Sequence, residues 1–134
     1  MRKNNSVVII PTYNEKENIE NIIRAVFDLE QGFHILIIDD GSPDGTASIV
    51  KGLQAQEFVN CLHLIERKGK LGLGTAYIAG FKWALERGYD EVFEMDCDFS
   101  HNPDDLIRLA HRLENDADVV VGSRYVSGMN VVNW

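Results

Sequence analysis

No stretch of this chain is apolar for anything near the ~20 residues that a bilayer-spanning helix requires. The opening residues MRKNNS lead straight into an apolar strand pattern, without the hydrophobic segment of a secretory signal. Cysteine is scarce. The two present, Cys61 and Cys97, lie inside apolar runs, which excludes a disulfide-stapled secreted scaffold and is consistent with reduced core thiols in the cytoplasm. Positive charge is short as well: 13 Lys and Arg against 21 Asp and Glu leave a net charge of -8. That balance argues against non-specific nucleic-acid binding and against attraction of the whole chain to anionic lipid. An anionic ligand would need a local device: a metal ion, a helix N-terminus or a few placed arginines. Linkers, internal repeats and low-complexity segments are missing too, so residues 1–134 read as one domain.

What is present is a set of five short apolar runs: VVII at 7–10, ILII at 35–38, CLHLI at 61–65, VFEM at 92–95 and DVVVG at 118–122. Several have no polar alternation, as expected of strands covered on both faces. Helical patterns lie between them. Ile19, Ile22, Ile23, Val26 and Phe27 form one stripe, and Ala76, Tyr77, Gly80, Phe81, Ala84 and Leu85 another. A less regular helix is predicted from Thr46 to about Phe58. A further one opens at NPDDL, with Asn102 as N-cap and Pro103 at the first helical position. Strands alternating with helices predict a single layered α/β domain whose mostly parallel sheet is flanked by helices.

Polar clusters follow four of the strands, at the ends where an open α/β sheet binds its ligands. They are PTYNE (11–15), DDGSPDGT (39–46), DCDFSH (96–101) and GSRY (122–125). Asp96 and Asp98 are two residues apart, so on a strand they would face the same way, about 6.5–7 Å apart. Two acids at a frayed strand end suit one hard divalent cation, Mg²⁺ or Mn²⁺, although the same pair would also fit a solvated loop. DDGSPDGT has calcium-loop spacing at Asp40, Ser42, Asp44 and Gly45, but Lys51 stands where a bidentate acid is needed. Turn chemistry accounts for Ser42 to Thr46, with Asp44 or Ser42 capping the next helix. It leaves Asp39 and Asp40 unexplained, and at least one of them is expected to meet a ligand such as a nucleobase or ribose.

GLGTAY (72–77) has Tyr77 in place of the third glycine of a dinucleotide fingerprint and is preceded by RKGK rather than a strand; it reads as a glycine-rich helix entry. Lys68 and Lys70 are loop lysines near it. Arg124 either pairs with Asp96 or Asp98 or holds a phosphate in bidentate fashion. His101 reads as a capping or packing residue, and the acids flanking Cys97 disfavour its thiolate. No serine sits in a nucleophile elbow, and an aspartyl-phosphatase site would want its acids where PTYNE stands.

In order and spacing, VVIIPTYNE, DDGSPDGT, GLGTA, MDCDFSHNP and GSRY resemble the family 2 glycosyltransferases of the GT-A fold, and among them the polyprenol-phosphate (dolichol-phosphate) mannosyltransferases. The resemblance implies inverting transfer of a hexose, typically mannose from GDP-mannose, to a polyprenyl phosphate, with Mg²⁺ or Mn²⁺ as cofactor. It assigns Pro11, Tyr13 and Glu15 to the nucleotide pocket, Ile38 and Asp40 to the base end of the donor, and Asp96 and Asp98 to metal and diphosphate. The Cys97 backbone would lie beside the donor, Ser100 would be a further metal-side ligand, and Arg124 would bind the acceptor phosphate. The expected place of action is the cytoplasm or the cytoplasmic face of a membrane, with a membrane-surface substrate. Family members continue past the position of Trp134, so the chain is expected to be the N-terminal part of a longer enzyme, binding donor without completing transfer. A UDP-glucose donor, or a non-catalytic nucleotide-sugar-binding domain, are the alternatives.

Overall fold

The computed structural model describes residues 5–69, 72–97, 106–107, 119–121 and 130–133. The elements are β1 (Ser6–Thr12), α1 (Ile19–Phe27), β2 (His34–Asp39), α2 (Thr46–Gln56), β3 (Leu62–Glu66), α3 (Leu73–Glu86), β4 (Glu91–Glu94), β5 (Val119–Val121) and β6 (Asn130–Asn133). They build a six-stranded sheet in the order β3-β2-β1-β4-β6-β5. The four strands β3, β2, β1 and β4 are mutually parallel.

The unbroken apolar runs are explained by the two faces. Along β1, Val8 and Ile10 enter a core shared with α1 and α2, while Val7 and Ile9 enter a second core under α3. On β2, Ile35 and Ile37 take the first face and Leu36 and Ile38 the second. Successive strand side chains point to opposite sides, so a strand covered on both sides needs apolar residues at every position. α1 buries Ile19, Ile22, Ile23 and Val26, the stripe expected of it. α3 seats Ala76 and Ala84 against the sheet. At Gly80 an added Cβ would lie 2.7 Å from Ile9 Cδ1 and 2.9 Å from Ile9 Cγ2. The glycine is what permits so close an approach.

One strand lies outside the sequence expectation. β6 inserts between β4 and β5 and runs antiparallel to both. Its sequence NVVN offers only two apolar residues. Pairing with a neighbour on each side makes it a strand: β5, the element just before it in the chain, and β4, which is further back. β5 therefore runs in the same direction as β4, and its carboxyl end faces the same rim. The helix predicted from Asn102 lies outside the described residues apart from Leu106 and Ile107, of which Leu106 is fully buried in the first core. No helix among the described residues is long and apolar enough to cross a membrane.

Candidate active site

β1 is followed in the sheet by β2 and β3 on one side and by β4 on the other, so the chain reverses its direction of travel across the sheet at β1. Crevices form at the carboxyl ends of strands beside such a reversal. Two loops build one wall. The Asn14 N–H donates to Ser42 Oγ at 2.8 Å, the Glu15 N–H to Thr46 Oγ1 at 3.0 Å and the Lys16 N–H to Asp44 Oδ2 at 3.1 Å. Ser42, Asp44 and Thr46 thus satisfy the backbone of residues 14–16, which gives Ser42 and Asp44 a structural role in joining the two loops. Hydrogen bonds from the Thr46 hydroxyl, and then from the Lys16 and Thr46 N–H groups, hold the Asp44 carboxyl below its ordinary range. Asp44 also accepts the Thr46 N–H at the start of α2, whose N-cap position is Gly45.

The adjacent acids at the end of β2 separate into two roles. Asp39 is 1% exposed. Its oxygens accept from Thr12 Oγ1 at 2.7 Å, Ser42 Oγ at 2.6 Å and the Ser42 N–H at 3.0 Å. Asp39 ties the ends of β1 and β2 together. Asp40 faces the other way, into a bidentate pair with Arg67, whose Nε and Nη2 donate at 2.6 and 2.9 Å. Arg67 Nη1 reaches Thr75 Oγ1 at 3.1 Å and Nη2 the Gly72 carbonyl at 3.3 Å, so the same guanidinium also holds the entry of α3. The backbone supports this grip: the Arg67 N–H donates to the Asp39 carbonyl at 2.8 Å. Gly41, at φ +73°, passes so close that a Cβ would lie 2.9 Å from the Gly69 nitrogen.

Arg67 is absent from the sequence-based site. Its signal was an arginine one position past a strand end, in the same topological place as the acids. Its partner is 27 residues away, which no local pattern encodes. The neighbouring Lys68 is exposed, and Lys70 lies outside the described residues.

At the end of β4, alternation sends Phe93, Met95 and Cys97 into the α1–α2 core and Val92 into the core beneath α3. Asp96, in step with Val92 and Glu94, accepts a 3.2 Å hydrogen bond from the Tyr77 hydroxyl of α3. Burial, and then the charges of Asp96 and Glu94, push the Tyr77 phenol well above its ordinary range, so it keeps its proton and donates.

The remaining candidates are distributed unequally. Pro11 is half-buried in β1 opposite Ile38, Tyr13 is exposed on the rim, and Glu15 accepts from Asn18 Nδ2 at 3.1 Å. The Ile38 side chain is fully buried under α3, so it shapes the floor of the rim rather than projecting from it. The Cys97 side chain is 2% exposed and packed in the first core, which removes its sulfur as a ligand and leaves only its backbone. Asp98, Ser100, His101 and Arg124 lie outside the described residues. Among the described residues no three acids, histidines or cysteines gather to enclose a metal. Asp96 offers one carboxylate, a hard oxygen donor of the kind Mg²⁺ and Mn²⁺ take.

Comparison with known proteins shows what the chain is similar to. The sequence is 47% identical over 129 residues to a polyprenol monophosphomannose synthase of Mycolicibacterium smegmatis, covering 96% of this chain and 48% of that protein. It is 45% identical over 128 residues to an undecaprenyl-phosphate mannosyltransferase of Micrococcus luteus, covering 96% and 51%. A dolichol-phosphate mannosyltransferase of Pyrococcus furiosus is 39% identical over 129 residues, covering 95% and 35%. The chain thus spans about half the length, or less, of these relatives. Among solved structures, the mannosyltransferase PcManGT of Pyrobaculum calidifontis, in complex with GDP-Man and Mn²⁺, matches with a TM-score of 0.74 at 24% identity. That match covers 89% of this chain and 34% of that one, and it supports the GT-A fold. The family model for glycosyl transferase family 2 matches residues 7–134, and the chain belongs to that family.

Proposed function

We propose that this chain is the nucleotide-sugar-binding domain of an inverting mannosyltransferase that moves mannose from GDP-mannose to a polyprenyl phosphate. The supporting observation is the 47% identity to a polyprenol monophosphomannose synthase across 96% of the chain, with Asp40 and Asp96 on one rim of the sheet. In this reading Asp40, held by Arg67, accepts from the N–H groups of the base, and the interlocked PTYNE loop places Pro11, Tyr13 and Glu15 along the nucleoside. Asp96 and Asp98, with Ser100, hold the divalent cation, which when bound neutralises negative charge on the diphosphate as it leaves. Arg124 holds the acceptor phosphate. That acceptor is already anionic at neutral pH, so no side chain need remove a proton to make the nucleophile. What these residues contribute is positioning and electrostatic stabilisation. Neither His101 nor Cys97 is required. We place the reaction at the cytoplasmic face of a membrane, where a lipid phosphate is presented.

Calorimetric titration of GDP-mannose, with and without Mn²⁺, tests the reading. Binding that requires Mn²⁺ and is lost in Asp98→Ala is the expected result. Preference for UDP-glucose in the same cell would overturn the donor, and metal-independent binding unaffected by Asp98→Ala would overturn the site.

A further inference from the structure

We propose that Tyr77 is a positioning residue for the donor site, its hydroxyl fixing the Asp96 carboxylate at the end of β4. The inference rests on the donor-site reading above and adds to it a residue from a different element.

Three observations carry it. First, Tyr77 comes from α3 rather than from the strand ends, and its hydroxyl reaches Asp96 Oδ1 at 3.2 Å across 19 residues of sequence. Second, the ring is delivered there by the seating of the helix. Gly80 lies one turn further along, where a Cβ would press on Ile9 at 2.7 Å and on Ile38 Cδ1 at 3.1 Å, while Ala76 and Ala84 are fully buried. With small residues at the contact, the helix axis lies close to the sheet, and Tyr77 comes over the end of β4 instead of projecting beyond it. Third, the entry of the same helix is held from the other acid. Arg67 donates to Thr75 Oγ1 and the Gly72 carbonyl while gripping Asp40. One short segment, Gly72 to Tyr77, is therefore tied to both rim acids by a helix that supplies neither, while the sheet sets their spacing.

A carboxylate that must engage a diphosphate-bound cation is more effective when its rotamer is already chosen, because ordering a side chain on binding opposes affinity. Tyr77 restricts Asp96 through Oδ1, so losing the hydroxyl weakens the metal end of the site and leaves the base end alone. A purely structural tyrosine would weaken both ends together.

The test uses Tyr77→Phe, which keeps the ring, with three probes: Mn²⁺ alone by electron paramagnetic resonance, GDP-mannose with Mn²⁺, and GMP without metal. The expected result is Mn²⁺-dependent GDP-mannose binding weaker by about three- to tenfold, the cost of ordering one side chain on binding. GMP affinity should be unchanged, and the effect should vanish when Asp96→Asn is already present. Unchanged Mn²⁺-dependent affinity overturns the proposal, and so does an equal fall in GMP affinity. Wild-type protein that takes UDP-glucose with Mn²⁺ overturns the GDP-mannose reading alone, and the Tyr77 comparison is then made with UDP-glucose. Wild-type protein that binds neither Mn²⁺ nor nucleotide overturns both.

Discussion

Replacing Arg67 by methionine keeps most of the apolar stem and removes the guanidinium. Its side chain is 12% exposed and that of Asp40 9% exposed, with contacts at 2.6 and 2.9 Å. Breaking a buried pair by deleting one partner typically costs about 3–5 kcal/mol, because the surviving charge is left uncompensated. The position at the rim lets water reach Asp40 once the arginine is gone, which argues for the low end, about 3 kcal/mol. The lost bonds to Thr75 and Gly72 add about 1 kcal/mol. The sum, about 4 kcal/mol, is a large part of a typical domain stability of about 5–15 kcal/mol and should lower the melting temperature by roughly 10 °C or more. Urea unfolding followed by tryptophan fluorescence measures it. The decisive comparison is Arg67→Met with Asp40→Asn, since a neutral amide needs no counter-charge. The double variant should recover about 1–2 kcal/mol relative to Arg67→Met alone. A single-variant loss under about 1 kcal/mol, typical of exposed pairs, would refute the reasoning. So would a double variant no more stable than Arg67→Met.

Two further outcomes follow from the same frame. Gly41→Ala puts a side chain at φ +73° and a Cβ 2.9 Å from the Gly69 backbone. A loss of about 2 kcal/mol or more in urea unfolding is expected from the left-handed conformation and the clash together, and a loss below about 0.5 kcal/mol would contradict the close approach. His34 and His63 lie 5.7 Å apart, centroid to centroid, at the opposite end of β2 and β3, beside Tyr89, Trp83 and Arg87. Burial lowers the affinity of both for protons, and for His63 the charges of His34 and Arg87 lower it further. The unfolded chain takes up those protons near pH 6.5 while the folded chain resists them. The stability these residues contribute is therefore complete above about pH 6.5 and declines as the pH falls below it. The urea midpoint should be lower at pH 5.5 than at pH 7.5, and a midpoint constant across that range would show that neither histidine is buried in solution.

The central sheet was legible in the sequence because its determinants are local. VVII and ILII have apolar residues at consecutive positions, and only a strand covered on both faces needs that; the α1 stripe likewise follows from helical periodicity. Where the described residues reach the rim, after β1 and β2 and at Asp96, it was legible as well, since polar clusters after strand ends need only the strand assignment and the rule for open sheets. The five ordered motifs point to glycosyl transferase family 2, whose model matches residues 7–134. Pairing across distance was not legible. DDGSPDGT does not reveal that Asp39 serves Thr12 and Ser42 while Asp40 serves Arg67, nor that Ser42, Asp44 and Thr46 bond the backbone of residues 14–16. β6 and the Tyr77 contact to Asp96 belong to the same class. Local propensity and apolar periodicity act over a few residues and are written in the order of the chain. Which carboxylate meets which hydroxyl or guanidinium depends on how the strands and α3 stack, a relation between segments 19–31 residues apart that exists only once the core has closed.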